Sequence, residues 1–199
     1  MLDLTPLSPL EVLIQGEEDQ IPMDWSLDGR YLIFQEGYEE TRVMDLEDGR
    51  KVTTLSNVAA SANDSDQGVS LSPDSRLLAF TSWASGKKEV FLQRFPDGSR
   101  AYQVSIGGGY APLWSGDGRE LFYRRGDEVF VASIRAAGDE VVTDRPQRLF
   151  SGDFIFQDDP NEWAYDPSTD TLIMIANGDN EISTDRFVVL TGWMTSLTP

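Results

Sequence analysis

The chain has 199 residues, 40% of them hydrophobic and 11% aromatic, which supplies a packed core and excludes a disordered chain. Its formal net charge is −18, which repels nucleic-acid phosphates and anionic lipid surfaces and leaves basic proteins, cations and neutral ligands as partners. It contains no histidine and no cysteine, so a Ser-His-Asp triad, a thiol nucleophile, a disulfide and the usual zinc sites are all excluded.

In chain order, the first apolar piece is LEVLIQ at residues 10–15, a spare strand ahead of everything else. The residues before it carry Asp3 and two prolines and have neither a basic start nor a long apolar run, so no signal peptide is expected. No stretch approaches the roughly 20 apolar residues that span a bilayer. The expected location is the cytoplasm, or an extracytoplasmic one if the sequence is a piece of a longer protein.

After that strand one pattern returns: DWSLDGRYLIF from Asp24, SLSPDSRLLAF from Ser70, LWSGDGRELFY from Leu113 and a worn AYDPSTDTLIMI from Ala164. Each copy has an apolar or aromatic residue, a polar turn containing Asp, and an apolar strand of about five residues. The turns start at Ser26, Ser72, Ser115 and Asp166, spaced 46, 43 and 51 residues apart. A strand-rich period of 40–50 residues is the mark of propeller blades. Gly29 and Gly118 supply the positive φ of a tight hairpin, Pro73 presets φ in the second copy, and Ser75 in place of glycine predicts a slightly strained turn there.

Each copy continues into further strands, with Glu47-Asp48-Gly49 and Pro96-Asp97-Gly98 as hairpin turns. Blades are expected at about residues 21–57, 68–106, 111–150 and 162–194 of a single all-β domain. A helical 3.6-residue period is nearly absent. The last repeat lacks its outermost strand. The strand at 10–15 therefore either completes that blade and closes a four-bladed ring, or is left over from an upstream blade of an open arc.

The stretch SPDSRLLAFTSWASGKKEVFLQRFPDGSRAYQVSIGGGYAPLWSGDGRELFYR, with the closing FVVLTGW, resembles the TolB-like β-propeller. More narrowly it is similar to the C-terminal propeller attached to some bacterial serine/threonine protein kinases. The resemblance covers residues 10–195 and is strongest over 68–125. It implies a propeller, usually of six blades, that binds proteins or peptides. Only four repeats are present, so self-association through open blade edges is a further expectation. No kinase glycine loop, His-Arg-Asp loop or Asp-Phe-Gly occurs.

Other motifs carry little chemistry. Gly107-Gly108-Gly109 lacks a following Gly-Lys-Ser/Thr and reads as a crossover between blades. NDSDQG at 63–68 and QDDPNE at 157–162 read as solvated acidic loops, with no metal assigned. Trp25 and Trp114 hold matching positions before turns and are expected between blades, with Trp193 in the last blade. Trp83 lies before a hairpin tip beside Lys87 and Lys88. These three are the candidate partner-binding residues. The expected function is a non-catalytic binding or scaffold module for protein or peptide, without a cofactor. The alternatives are a piece of a larger protein, such as a kinase sensor or the gate of a peptidase, and a carbohydrate-active propeller using two carboxylates.

Overall fold

The computed structural model describes residues 11–37, 40–59, 68–98, 100–138, 140–154, 163–176 and 186–190. Within them the chain folds as four antiparallel sheets, each drawn from one contiguous stretch of sequence. Blade 1 holds β1 (Gln20–Trp25), β2 (Tyr31–Glu36), β3 (Glu40–Asp45) and β4 (Lys51–Ala59) in that order. Blade 2 holds β5 (Val69–Leu71), β6 (Leu77–Ser82), β7 (Glu89–Arg94) and β8 (Ala101–Gln103).

Blade 3 holds β9 (Tyr110–Trp114), β10 (Glu120–Arg125) and the ten-residue β11 (Glu128–Ala137). β11 is long enough for two outer partners: β12 (Glu140–Thr143) pairs with its C-terminal half and β13 (Gln147–Ser151) with its N-terminal half. Blade 4 holds β14 (Trp163–Asp166), β15 (Thr171–Ala176) and β16 (Arg186–Leu190). No helix occurs among the described residues.

The recurring turn has one hydrogen-bond plan. The hydroxyls of Ser26, Ser72 and Ser115 donate to Asp28, Asp74 and Asp117 at 2.6, 2.7 and 2.8 Å. The same hydroxyls accept the N–H groups of Tyr31, Leu77 and Glu120 at 2.8, 2.9 and 3.0 Å. Each Asp in turn accepts a backbone N–H two residues on, from Arg30, Arg76 and Arg119. The polar knot thus satisfies the backbone of a reversal whose serine is buried. Gly29 and Gly118 take φ values of 78° and 69° at the position where Ser75 takes 56°. In blade 4, Asp166 replaces the serine and accepts from Ser168 and Thr169 instead.

Three apolar clusters hold the blades together, one per interface. Ile33, Val43, Leu71 and Phe80 join blades 1 and 2. Leu77, Leu92, Trp114 and Tyr123 join blades 2 and 3. Phe122, Val131, Trp163 and Leu172 join blades 3 and 4. Inner strands are also stitched by polar bonds: Leu71 N–H donates to Asp24 at 2.6 Å, and Trp114 Nε1 to the Ser70 carbonyl at 3.0 Å. Among the described residues no sheet pairing and no core cluster joins blade 4 to blade 1.

Two expectations are corrected. The described residues 11–15 of the strand expected at 10–15 form no strand, and Val12 is 71% exposed. Glu11 pairs with Arg50 in the turn between β3 and β4, which draws this segment onto blade 1. Trp114 is buried between blades as expected, but Trp25, at the matching place in blade 1, is 51% exposed. Trp193, residues 63–67 and residues 157–162 lie outside the described residues.

Candidate functional site

Trp83, Lys87 and Lys88 share the hairpin that joins β6 to β7. Ser82 pairs with Glu89 at its base, and the Gly86 N–H donates to the Trp83 carbonyl at 2.8 Å. Gly86 takes φ of 86°, a backbone that the hairpin tip requires and glycine allows. The tight tip leaves the Trp83 indole 50% exposed.

The two lysines do different things. Lys87 Nζ lies 3.3 Å from Glu89, whose side chain is only 1% exposed. Lys88 Nζ lies 5.9 Å from the centroid of the Trp83 ring and 5.8 Å from that of Tyr110. Arg124 stands over the same Tyr110 ring at 5.1 Å. Trp83, Lys88, Tyr110 and Arg124 therefore alternate ring and cation across the junction of blades 2 and 3.

Glu89 is the anchor beneath them. The Ser105 hydroxyl donates to it, and the Gly108 N–H donates to it at 3.0 Å. Ser105 Oγ also accepts the Val90 N–H at 2.8 Å. A buried carboxylate with a cation and two donors is satisfied, and here it ties the hairpin to the crossover between β8 and β9. Gly107 and Gly108 take φ of 86° and 112° in that crossover. Arg125 donates to the Ile106 carbonyl at 3.2 Å, while Ile106 itself is 59% exposed. Arg125 and Arg148 both bond Glu128, and these bonds hold its carboxyl below the usual range.

The result is a patch with two exposed apolar groups, Trp83 and Ile106, set among four cations, Lys87, Lys88, Arg125 and Arg148, with Arg124 buried beneath them. It stands on a chain with 16 Lys and Arg against 34 Asp and Glu. Its carboxylates, Glu89 and Glu128, are committed to ion pairs. Sequence reasoning found the hairpin residues but missed Tyr110, Glu89, Ser105 and Ile106. The alternation of apolar and polar residues in EVFLQRF would put Glu89 on the solvent face, and its burial was not foreseen.

At the opposite end of the strands the recurring turns border a groove of about 1360 Å³ between blades 2, 3 and 4. Its walls include Arg76, Asp117, Arg119, Glu120, Tyr165 and Asp170. Burial raises the Glu120 carboxyl, helped by the nearby charges of Asp117 and Asp170. Burial opposes ionisation of Asp117 too, but the Arg119 N–H and the Ser115 hydroxyl outweigh it and hold that carboxyl below its ordinary value. The Tyr165 hydroxyl donates to Asp170 at 2.5 Å; burial and this bond push the phenol up to about 12. Among the described residues no three Asp or Glu side chains converge as metal ligands.

Repeated antiparallel blades packed through apolar clusters invite comparison with solved propellers. TolB from Acinetobacter baumannii superposes with a TM-score of 0.63 at 19% identity, over 91% of this chain and 43% of that one. The chain is a TolB-like β-propeller in fold. Two other likenesses are more distant. Porphyromonas gingivalis dipeptidyl peptidase 4 matches with a TM-score of 0.53 at 12% identity, over 91% of this chain and 32% of that one. An auxiliary nutrient binding protein from Bacteroides thetaiotaomicron matches at 0.53 and 12%, over 90% and 46%. No protein-family model matches the chain, and no curated protein does. The chain spans less than half the length of the TolB it matches, and its structural neighbours include both enzymes and a binding protein. The fold therefore does not decide between catalysis and binding.

Proposed function

We propose that this TolB-like propeller is a non-catalytic module that binds protein or peptide through the β6–β7 hairpin end. The observation that carries this is the half-exposed Trp83, flanked by Lys88 and seated over the Glu89 anchor. Exposed aromatic side chains beside cations are typical anchors of protein interfaces. The rigid sheets hold the hairpin and crossover in fixed relation, so little ordering is needed on binding. An acidic or aromatic peptide segment fits this patch: its carboxylates meet the lysines and its rings meet Trp83.

The test is selection of a random peptide library on the intact chain, followed by titration of enriched peptides. Enriched sequences should carry Asp, Glu or aromatic residues, and Trp83→Ala should weaken them about tenfold or more. A library that yields no enrichment, or peptides bound equally by Trp83→Ala, overturns the reading.

One observation favours a second reading. Glu120 is raised and Asp117 lowered in the same groove, the separation that an acid and a base of glycoside hydrolysis need. If the groove is catalytic, oligosaccharides are cleaved and Glu120→Gln abolishes turnover. Binding without turnover leaves the module non-catalytic.

A further inference from the structure

The interface between blades 1 and 2 is built from two facing rows. Blade 1 supplies Ile33–Val43–Thr53, and blade 2 supplies Leu71–Leu78–Gln93. Ile33, Val43, Leu71 and Leu78 are buried together in one apolar cluster. Each row then ends in a polar residue. Thr53 and Gln93 both line a pocket of about 310 Å³, bordered by Asp48 of one hairpin turn and by Asp97 and Gly98 of another. That is room for one small molecule.

Gln93 breaks the register of the fold. The matching position holds Met44 in blade 1, Ala132 in blade 3 and Leu190 in blade 4. Along β7, Gln93 alternates with Phe91 and Phe95, which pack on the same apolar cluster. Gln93 is 0% exposed, and among the described residues neither its Nε2 nor its Oε1 has a hydrogen-bond partner. A buried amide with both ends unanswered is costly, and an apolar residue at this place would avoid the cost. Gly98 packs directly against the amide: a Cβ there would lie 2.5 Å from Nε2 and 2.9 Å from Oε1. Asn57 Nδ2 donates to the Gly98 carbonyl at 2.6 Å and ties that turn to β4.

The walls narrow the chemistry of a ligand. Asp45, Asp48 and Asp97 stand against Lys51, a balance that rejects an anion. A cation offers nothing to the Gln93 N–H groups, because ammonium and guanidinium groups only donate. The Tyr31 ring has Arg30 over it at 4.8 Å and Phe95 against it at 4.9 Å, so it has no free face for a planar base. A neutral polyhydroxyl compound meets every condition. Each of its hydroxyls both donates and accepts, so it can answer the amide, the Thr53 hydroxyl and the carboxylates together.

We infer that this pocket binds a monosaccharide, with the Gln93 amide bonding its hydroxyls and Thr53 facing it from blade 1. The sugar supplies the partners that the chain itself withholds from the amide. The amide atoms are closed off from bulk water, so the Pro96-Asp97-Gly98 turn yields on binding and the amide turns from Gly98 to the ligand. The pocket lies at the end of β7 opposite the β6–β7 hairpin, so this inference stands or falls apart from the peptide surface.

Thermal unfolding of the intact chain tests it, with D-glucose, D-galactose, D-mannose, D-xylose or L-arabinose each at ~20 mM. At least one sugar should raise the melting temperature, by about 4–7 °C for a site with a Kd of ~1 mM. Gln93→Met should abolish that shift. It gives blade 2 the residue that blade 1 holds at the matching place, so the variant should fold. Should it fail to fold, Thr53→Val carries the test: it keeps the β-branched shape at an exposed position, and it should raise the sugar concentration needed for the same shift about threefold or more. A wild type that no sugar of the panel moves, or a shift that survives the variant unchanged, overturns the inference and leaves the amide to ordered water.

Discussion

Ser75 occupies a left-handed backbone (φ 56°) at the position where the equivalent turns have Gly29 and Gly118. A side chain there costs on the order of 1 kcal/mol. Ser75→Gly removes that strain but gives the unfolded chain more freedom, which returns part of the gain. The expected net effect is a rise in stability of up to about 1 kcal/mol, read from urea unfolding. The neighbouring serines act in the opposite sense. Ser115 is buried, donates to Asp117 and accepts the Glu120 N–H, so Ser115→Ala strands a backbone donor and loosens the turn. A loss of about 1–2 kcal/mol is expected. An unchanged midpoint for Ser115→Ala would mean that water replaces the hydroxyl freely and that the repeated knot is not structural.

At the scale of elements, the crossover between β8 and β9 positions the candidate site. A Cβ on Gly109 would lie 2.6 Å from Ser105 Cβ and 2.9 Å from Tyr123 Cδ2, both packed atoms. Gly109→Ala must therefore push the crossover off Glu89, at a cost of about 1–3 kcal/mol. Peptides selected on the wild type should bind this variant more weakly although Trp83 is untouched; equal affinity would separate the crossover from the site. The blades themselves were legible in the sequence because the turn chemistry recurs with a fixed offset from an apolar strand. Ser26, Ser72 and Ser115 mark three of the four first hairpins. Trp25 was misplaced because the same periodicity that gives a residue its place in a blade says nothing about whether a neighbouring blade is there to cover it. The hairpin residues Trp83, Lys87 and Lys88 were legible from the Gly86 turn. The anchor was not: Glu89 meets Ser105 and Gly108, which lie 16 and 19 residues away, and only packing brings them together.

Across the whole molecule, charge and burial combine to favour mild acid. The Ser26 hydroxyl holds Asp28 below its ordinary value, Arg30 does so for Asp45, and the Ser168 hydroxyl for Asp166. Their contribution is complete above about pH 4 and is lost only as pH falls through the lowered values. Asp24 and Glu120 behave oppositely. Burial between blades raises Asp24, and burial followed by Asp117 and Asp170 raises Glu120. Their neutral forms favour the fold, and that contribution is lost as pH rises through the raised values. A net charge of −18 adds self-repulsion once all carboxylates ionise. The first effect is level between pH 5 and pH 8, and the other two place the stability maximum nearer pH 5 than pH 8. The melting temperature at pH 5 should exceed that at pH 8, by about 2–4 °C for each kcal/mol of difference. Salt should narrow the gap by screening the repulsion while leaving the buried part. Asp24→Asn separates the two causes. It keeps an oxygen for the Leu71 N–H but cannot ionise, so it should gain most at pH 8 and flatten the profile between pH 5 and 8. A variant that instead loses stability equally at both pH values would mean that the Asp24 carboxylate stitches blades 1 and 2 as an ion, and that surface repulsion alone sets the pH dependence.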